Sequence, residues 1–143
     1  MDYEKLKGIV DFNAIAVDAG CSGNPGPMEY QGVYLGNEQR LFHYGPIQGT
    51  NNIGEFLAIV HALALIKQNN WSMKVYSDSV SGMAWVRNRK AKTTLVRNEQ
   101  TAQALDLVVR AEKWLRENPQ HAEVLKWHTE EWGEIPADFG RKK

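Results

Sequence analysis

Residues 14–27 read AIAVDAGCSGNPGP. Four apolar residues lead into a single acidic one, Asp18, and the chain then turns to small residues and turn formers. The apolar part predicts a buried strand with Asp18 at its carboxyl end. The Gly and Pro residues of GNPGP predict a turn, because they favour backbone geometries unsuited to a strand interior. A lone carboxylate at the end of a buried strand is costly unless something pairs with it. The rest of the chain has to supply that partner.

A second strand-like run, MKVYSD at 73–78, also ends in a carboxylate, Asp78. Between the two, EYQGVYLG (29–36) and QRLFHYG (39–45) predict a hairpin turning at Asn37-Glu38. From 50 to 68 the apolar period becomes helical, with Phe56, Ile59, Val60 and Leu63 in step and Asn51 or Asn52 as cap. A short helix is expected over 79–87 and the longest amphipathic helix over 98–117. EVLKWH (123–128) reads as a last strand, and EIPADFGRKK (134–143) as a terminal turn or short helix. Three early strands followed by alternating helix and strand predict one mixed sheet covered by helices, an α/β layer fold.

With 143 residues, 43% of them hydrophobic and 24% charged, the chain has the make-up of one ordinary globular domain. Its formal net charge of +0 argues mildly against a dedicated nucleic-acid binder. The cations are unevenly spread, however: Arg87, Arg89, Lys90, Lys92 and Arg97 fall together, and Arg141, Lys142 and Lys143 end the sequence. One cysteine, Cys21, excludes an internal disulfide and a cysteine-based zinc site. Neither a signal peptide nor a membrane-spanning stretch is visible, so a cytoplasmic monomer without obligate protein partner is expected. Trp71, Trp114, Trp127 and Trp132 are expected to pack in the core rather than to stack on bases.

In an open α/β sheet, sites form outside the carboxyl ends of strands. Asp18 and Asp78 both fall there, Glu55 lies near the start of the 50–68 helix, and Asp138 lies in a terminal segment that can return to the same edge. Four acidic groups in one place cannot all stay ionised without a counter-charge. All-oxygen ligation by carboxylates suits Mg²⁺ or Mn²⁺.

Four stretches resemble the type 1 ribonucleases H: VDAGCSGNPG around Asp18, TNNIGEFLAIVHAL around Glu55, VYSDS around Asp78, and KWHTEEWGEIPAD ending in Asp138. The resemblance spans residues 13–138 and rests on the joint order of the four. It implies a ribonuclease H-like fold, a five-stranded mixed sheet flanked by helices, forming a single domain over 1–143 with an N-terminal extension at 1–12. It implies an endonuclease that hydrolyses the RNA strand of RNA–DNA hybrids with two Mg²⁺ ions, Mn²⁺ substituting, and leaves 5′-phosphate and 3′-hydroxyl ends. In that reading Asp18 bridges both ions, Asp138 serves the nucleophile's ion, and Glu55 and Asp78 serve the leaving-group ion. His128 assists proton transfer or product release. Asn24, Asn51 and Asn52 match positions that touch sugars or bases, while Thr50 and Asn98 match a pocket for a DNA-strand phosphate. The cluster from Arg87 to Lys92, with Trp85, is expected to track that strand.

The chain departs from the family pattern at Ile53-Gly54, where members carry Arg-Ala, and at Glu134-Ile135, where they carry Asn-Glu. It also ends five residues after Asp138. Two other readings use the same residues: a catalytically weak or inactive hybrid-binding or interaction module, and a resolvase or exonuclease acting on DNA. The TNN before Glu55 favours the hybrid nuclease over the last of these.

Overall fold

The computed structural model describes residues 2–139. Its centre is β1 (Ala14–Cys21), whose alternating side chains are buried on both faces. Ile15, Val17 and Ala19 enter a large core with the helix α2 (Asn51–Gln68). Ala14 and Ala16 enter a smaller core on the other face, with Leu6, Val10, Tyr76, Trp127, Ile135 and Ala137. A strand covered on both faces reads as a continuous apolar run, which is what AIAV is.

β2 (Gly26–Tyr34) and β3 (Gln39–Gly49) continue the sheet antiparallel on one side of β1. β4 (Lys74–Ser77) and β5 (Val124–Lys126) continue it in parallel on the other, giving the order β3-β2-β1-β4-β5. This is the expected five-stranded mixed sheet. α2 lies across it and is buried nearly all round, because α3 (Val80–Asn88) and α4 (Ala102–Glu117) pack on its outer side. The second face is covered by a short N-terminal turn of helix, α1 (Tyr3–Leu6), and by the segment around α5 (Thr129–Trp132). The expected N-terminal extension therefore contributes Leu6 and Val10 to the smaller core.

Several local expectations need correction. Asp18 lies inside β1, not at its end. Pairing with β4 stops at Ala16–Tyr76, whereas pairing with β2 runs on to Cys21. The strand is long on one side and short on the other, and the open side begins at Asp18. β2 starts at Gly26, inside the stretch read as a turn. Thr50, not Asn51 or Asn52, caps α2, its Oγ1 accepting from the Ile53 amide at 3.2 Å. α4 begins at Ala102 because the Asn98 Oδ1 accepts from the Gln100 and Thr101 amides and closes a separate turn first. With 16 residues it is still the longest helix with one buried and one exposed face, since α2, with 18, is buried nearly all round. Trp127 is fully buried as expected, but Trp71 is 37% exposed, since it follows the end of α2 in a loop. No helix among the described residues is long and apolar enough to cross a membrane.

Candidate active site

β1 and β4 run parallel and side by side, and the chain leaves them in different directions: β1 continues beside β2, while β4 turns into α3. In open α/β sheets a site forms at such a divergence. Asp18 faces it from β1, and Asp78 reaches it from the residue after β4. Glu55 reaches it from the second turn of α2. Each of the three offers a carboxylate oxygen within 4.8 Å of the other two. Asp18 is fully buried, Glu55 nearly so, and Asp78 half-buried.

Two glycines, whose role the sequence alone did not reveal, let the elements come this close. A Cβ on Gly54 would lie 2.8 Å from the Ala19 Cβ, so its absence seats α2 directly on β1 one residue before Glu55. A Cβ on Gly82 would meet the Glu55 Cβ at 3.2 Å, so α3 packs against α2 beside the same carboxylate.

At the start of α2, one turn before Glu55, lies a cavity of about 660 Å³. Asn24, Thr50, Asn51, Asn52 and Asn98 all line it, together with Trp85. The five residues expected to meet a nucleic acid are thus gathered on one surface. Asn24 also supports the start of α2, its Oδ1 accepting from the Asn51 amide at 2.8 Å. Lys92, Thr93, Thr94 and Thr101 are also part of its wall. Lys92 is the one cation among the described lining residues.

The basic cluster is not a single patch. Lys90 approaches Glu112, and Arg97 pairs with Asp106 at 2.9 Å. Arg87 and Arg89 line a different depression with His121 and Val124. The dispersal follows from the left-handed backbone at Arg89, which ends α3 and redirects the loop. Glu112 anchors that loop, accepting from the Ala91 amide at 2.8 Å, and so helps to place Lys92. Arg141, Lys142 and Lys143 lie outside the described residues.

Asp138 is half-buried and stands outside the group of three. Its segment is drawn to the site by its neighbours. Ile135 and Ala137 are buried, and the Phe139 amide donates to Asp18 Oδ2 at 3.3 Å. His128 is exposed at the start of α5, with its ring edge-on to Trp132 at 4.9 Å and its Nδ1 3.8 Å from Glu130. Cys21 donates to the Gly23 carbonyl, and burial pushes its thiol pKa up.

The family model for RNase H matches residues 13–139. The chain belongs to the ribonuclease H family. It is 32% identical over 133 residues to the ribonuclease H of Syntrophomonas wolfei, covering 84% of this chain and 87% of that one. The ribonuclease H of Ruthia magnifica is also 32% identical over 133 residues, covering 87% and 88%. Among solved structures, RNase H1 from Halobacterium salinarum is similar at 20% identity with a TM-score of 0.48, covering 80% of this chain and 83% of that one. LC11-RNase H1 in complex with an RNA/DNA hybrid is similar at 19% identity with a TM-score of 0.47, covering 82% and 86%.

As a ribonuclease H-family chain it is a nuclease-type hydrolase, and its acidic group suits a metal. Three carboxylates so close, two of them buried, repel one another unless a cation lies among them. The donors are all oxygen, the set that hard divalent ions prefer.

Proposed function

We propose that the protein hydrolyses the RNA strand of RNA–DNA hybrids with two Mg²⁺ ions, Mn²⁺ substituting, and leaves 5′-phosphate and 3′-hydroxyl ends. The observation that carries this is the meeting of Asp18, Glu55 and Asp78 within 4.8 Å, with a cavity walled by asparagines and one lysine at the start of α2. When bound, a metal pair supplies an activated water and charge stabilisation at the leaving oxygen.

The chain's own residues do the rest. Asp18, central and fully buried, would be the ligand shared by the ions, Glu55 and Asp78 would serve the ion at the leaving group, and Asp138 would serve the ion at the nucleophile. Burial keeps competing water away from the carboxylates and strengthens their hold. The asparagine amides both donate and accept, as reading sugar hydroxyls and base edges in a minor groove requires. Lys92, with Thr50 and Asn98, receives a phosphate of the DNA strand. His128, exposed beside the terminal segment, takes or delivers a proton as product leaves. We place the protein in the cytoplasm as a monomer.

The test is cleavage of end-labelled hybrid, DNA duplex and RNA duplex with Mg²⁺ or Mn²⁺. The expected result is cutting of the RNA strand of the hybrid alone, reduced on the order of 10³-fold by Asp18→Asn. Absence of hybrid cleavage with either metal, or equal cutting of the DNA duplex, would refute the proposal.

A further inference from the structure

Asp18, Gln31 and His43 form a row across three strands. The β1–β2 ladder sets Asp18 opposite Gln31, and the β2–β3 ladder sets Gln31 opposite His43. Directly opposed residues of antiparallel strands project from the same face. The row therefore lies on the sheet face turned away from α2, under the terminal segment, and every member touches that segment. Asp18 Oδ2 accepts from the Phe139 amide at 3.3 Å. Gln31 Nε2 donates to the Ala137 carbonyl at 2.6 Å. The His43 and Phe139 rings lie 6.1 Å apart.

The surroundings are fitted to these contacts. Arg40 Nη1 donates to Gln31 Oε1 at 3.3 Å, which turns the amide so that its NH₂ faces Ala137. Glu29 meets His43 Nε2 at 2.6 Å. Gly20 shares the face, and a Cβ there would sit 3.4 Å from the Phe139 side chain, so the ring rests against bare backbone. The row grips positions 137 and 139. The residue held between them is Asp138.

We propose that Gln31 is a positioning residue for Asp138. With Asp18 and His43 it clamps the two flanking residues, so that the Asp138 carboxylate is presented to the Asp18–Glu55–Asp78 group and completes the site for a second cation. This rests on the metal-nuclease reading above. It also gives Asp18 two tasks, since it both holds metal and anchors, through the Phe139 amide, the segment that brings the last carboxylate.

The experiment uses the full chain and three readouts: Mn²⁺ binding by calorimetry, amide exchange at 137–139, and kcat against KM on a hybrid. Loss of one hydrogen bond predicts a change of about three- to tenfold. In Gln31→Leu the weaker Mn²⁺ site should weaken by that factor while the tighter one is unchanged. The Phe139 amide should exchange faster, and kcat should fall with KM nearly constant. Arg40→Ala should move all three readouts the same way by less, and it decides the matter if Gln31→Leu does not fold. Unchanged exchange and Mn²⁺ binding in a folded variant would overturn the proposal. So would equal weakening of both sites with a lowered Tm, the mark of a purely structural role. A wild-type chain that binds no Mn²⁺ and cuts no hybrid would instead sink the nuclease reading, and this proposal with it.

Discussion

Asp18, Glu55 and Asp78 are held by a strand, a helix and a strand end, whereas Asp138 rides on a stretch that neither pairs in the sheet nor coils into a helix. The first three inherit their geometry from backbone ladders and from a core that closes to van der Waals contact at Gly54 and Gly82. The fourth depends on two buried anchors, Ile135 and Ala137, and on tethers from Gln31 and Asp18. A frame of ladders fixes a carboxylate without regard to any one side chain. A tethered segment is sensitive to single hydrogen bonds and can adjust when substrate and ions arrive.

This contrast sets an order of effects. Asp18→Asn removes the residue shared by the buried group and the tether, and hybrid cleavage should fall on the order of 10³-fold. Asp138→Asn should cost less, about 10²-fold, and should spare part of the metal binding seen by calorimetry. Equal losses in the two variants would erase the distinction between frame and segment.

The frame can be strained without altering any acidic residue. Gly54→Ala places a methyl 2.8 Å from the Ala19 Cβ, which cannot swing aside, and should destabilise by about 1–3 kcal/mol in denaturant melts. Adding Ala19→Gly should recover much of this. Failure of the second change to rescue the first would show that the contact between α2 and β1 does not set their spacing.

A smaller effect concerns pH. His61 sits between α2 and β2–β3, stacked on Phe42 at 4.1 Å, with its Nδ1 2.9 Å from the Tyr30 hydroxyl. Burial lowers its pKa, so the fold favours the neutral ring. Its contribution is whole above the ordinary histidine value of about 6.5 and is lost as pH falls through the lower folded value. Thermal melts of the wild type should therefore lose Tm below about pH 6.5 more steeply than those of His61→Gln. Parallel curves would contradict this.

Much of the frame was legible in the sequence because its signals are local: AIAV and KVYS announce strands, and the period of Phe56, Ile59, Val60 and Leu63 announces α2. The order of the acidic residues and the polar set from Asn24 to Asn98 could be read as well. What could not be read depends on register and direction. Asp18 is an interior strand residue because β1 has partners of unequal length, which no local pattern records. The basic cluster looks continuous in one dimension, yet a single left-handed residue, Arg89, helps to scatter it. Gln31 resembles any polar residue in a hairpin until the ladder sets it opposite Asp18.

The most direct test is diffraction at the manganese edge from crystals of Asp138→Asn and of the wild type, each grown with Mn²⁺ and a hybrid. The account predicts two anomalous peaks in the wild type about 3.5–4 Å apart, flanking Asp18. It predicts that the peak on the Asp138 side weakens in the variant. A wild-type map with no peak at Asp18, or with a single ion touching none of Glu55, Asp78 and Asp138, would contradict it.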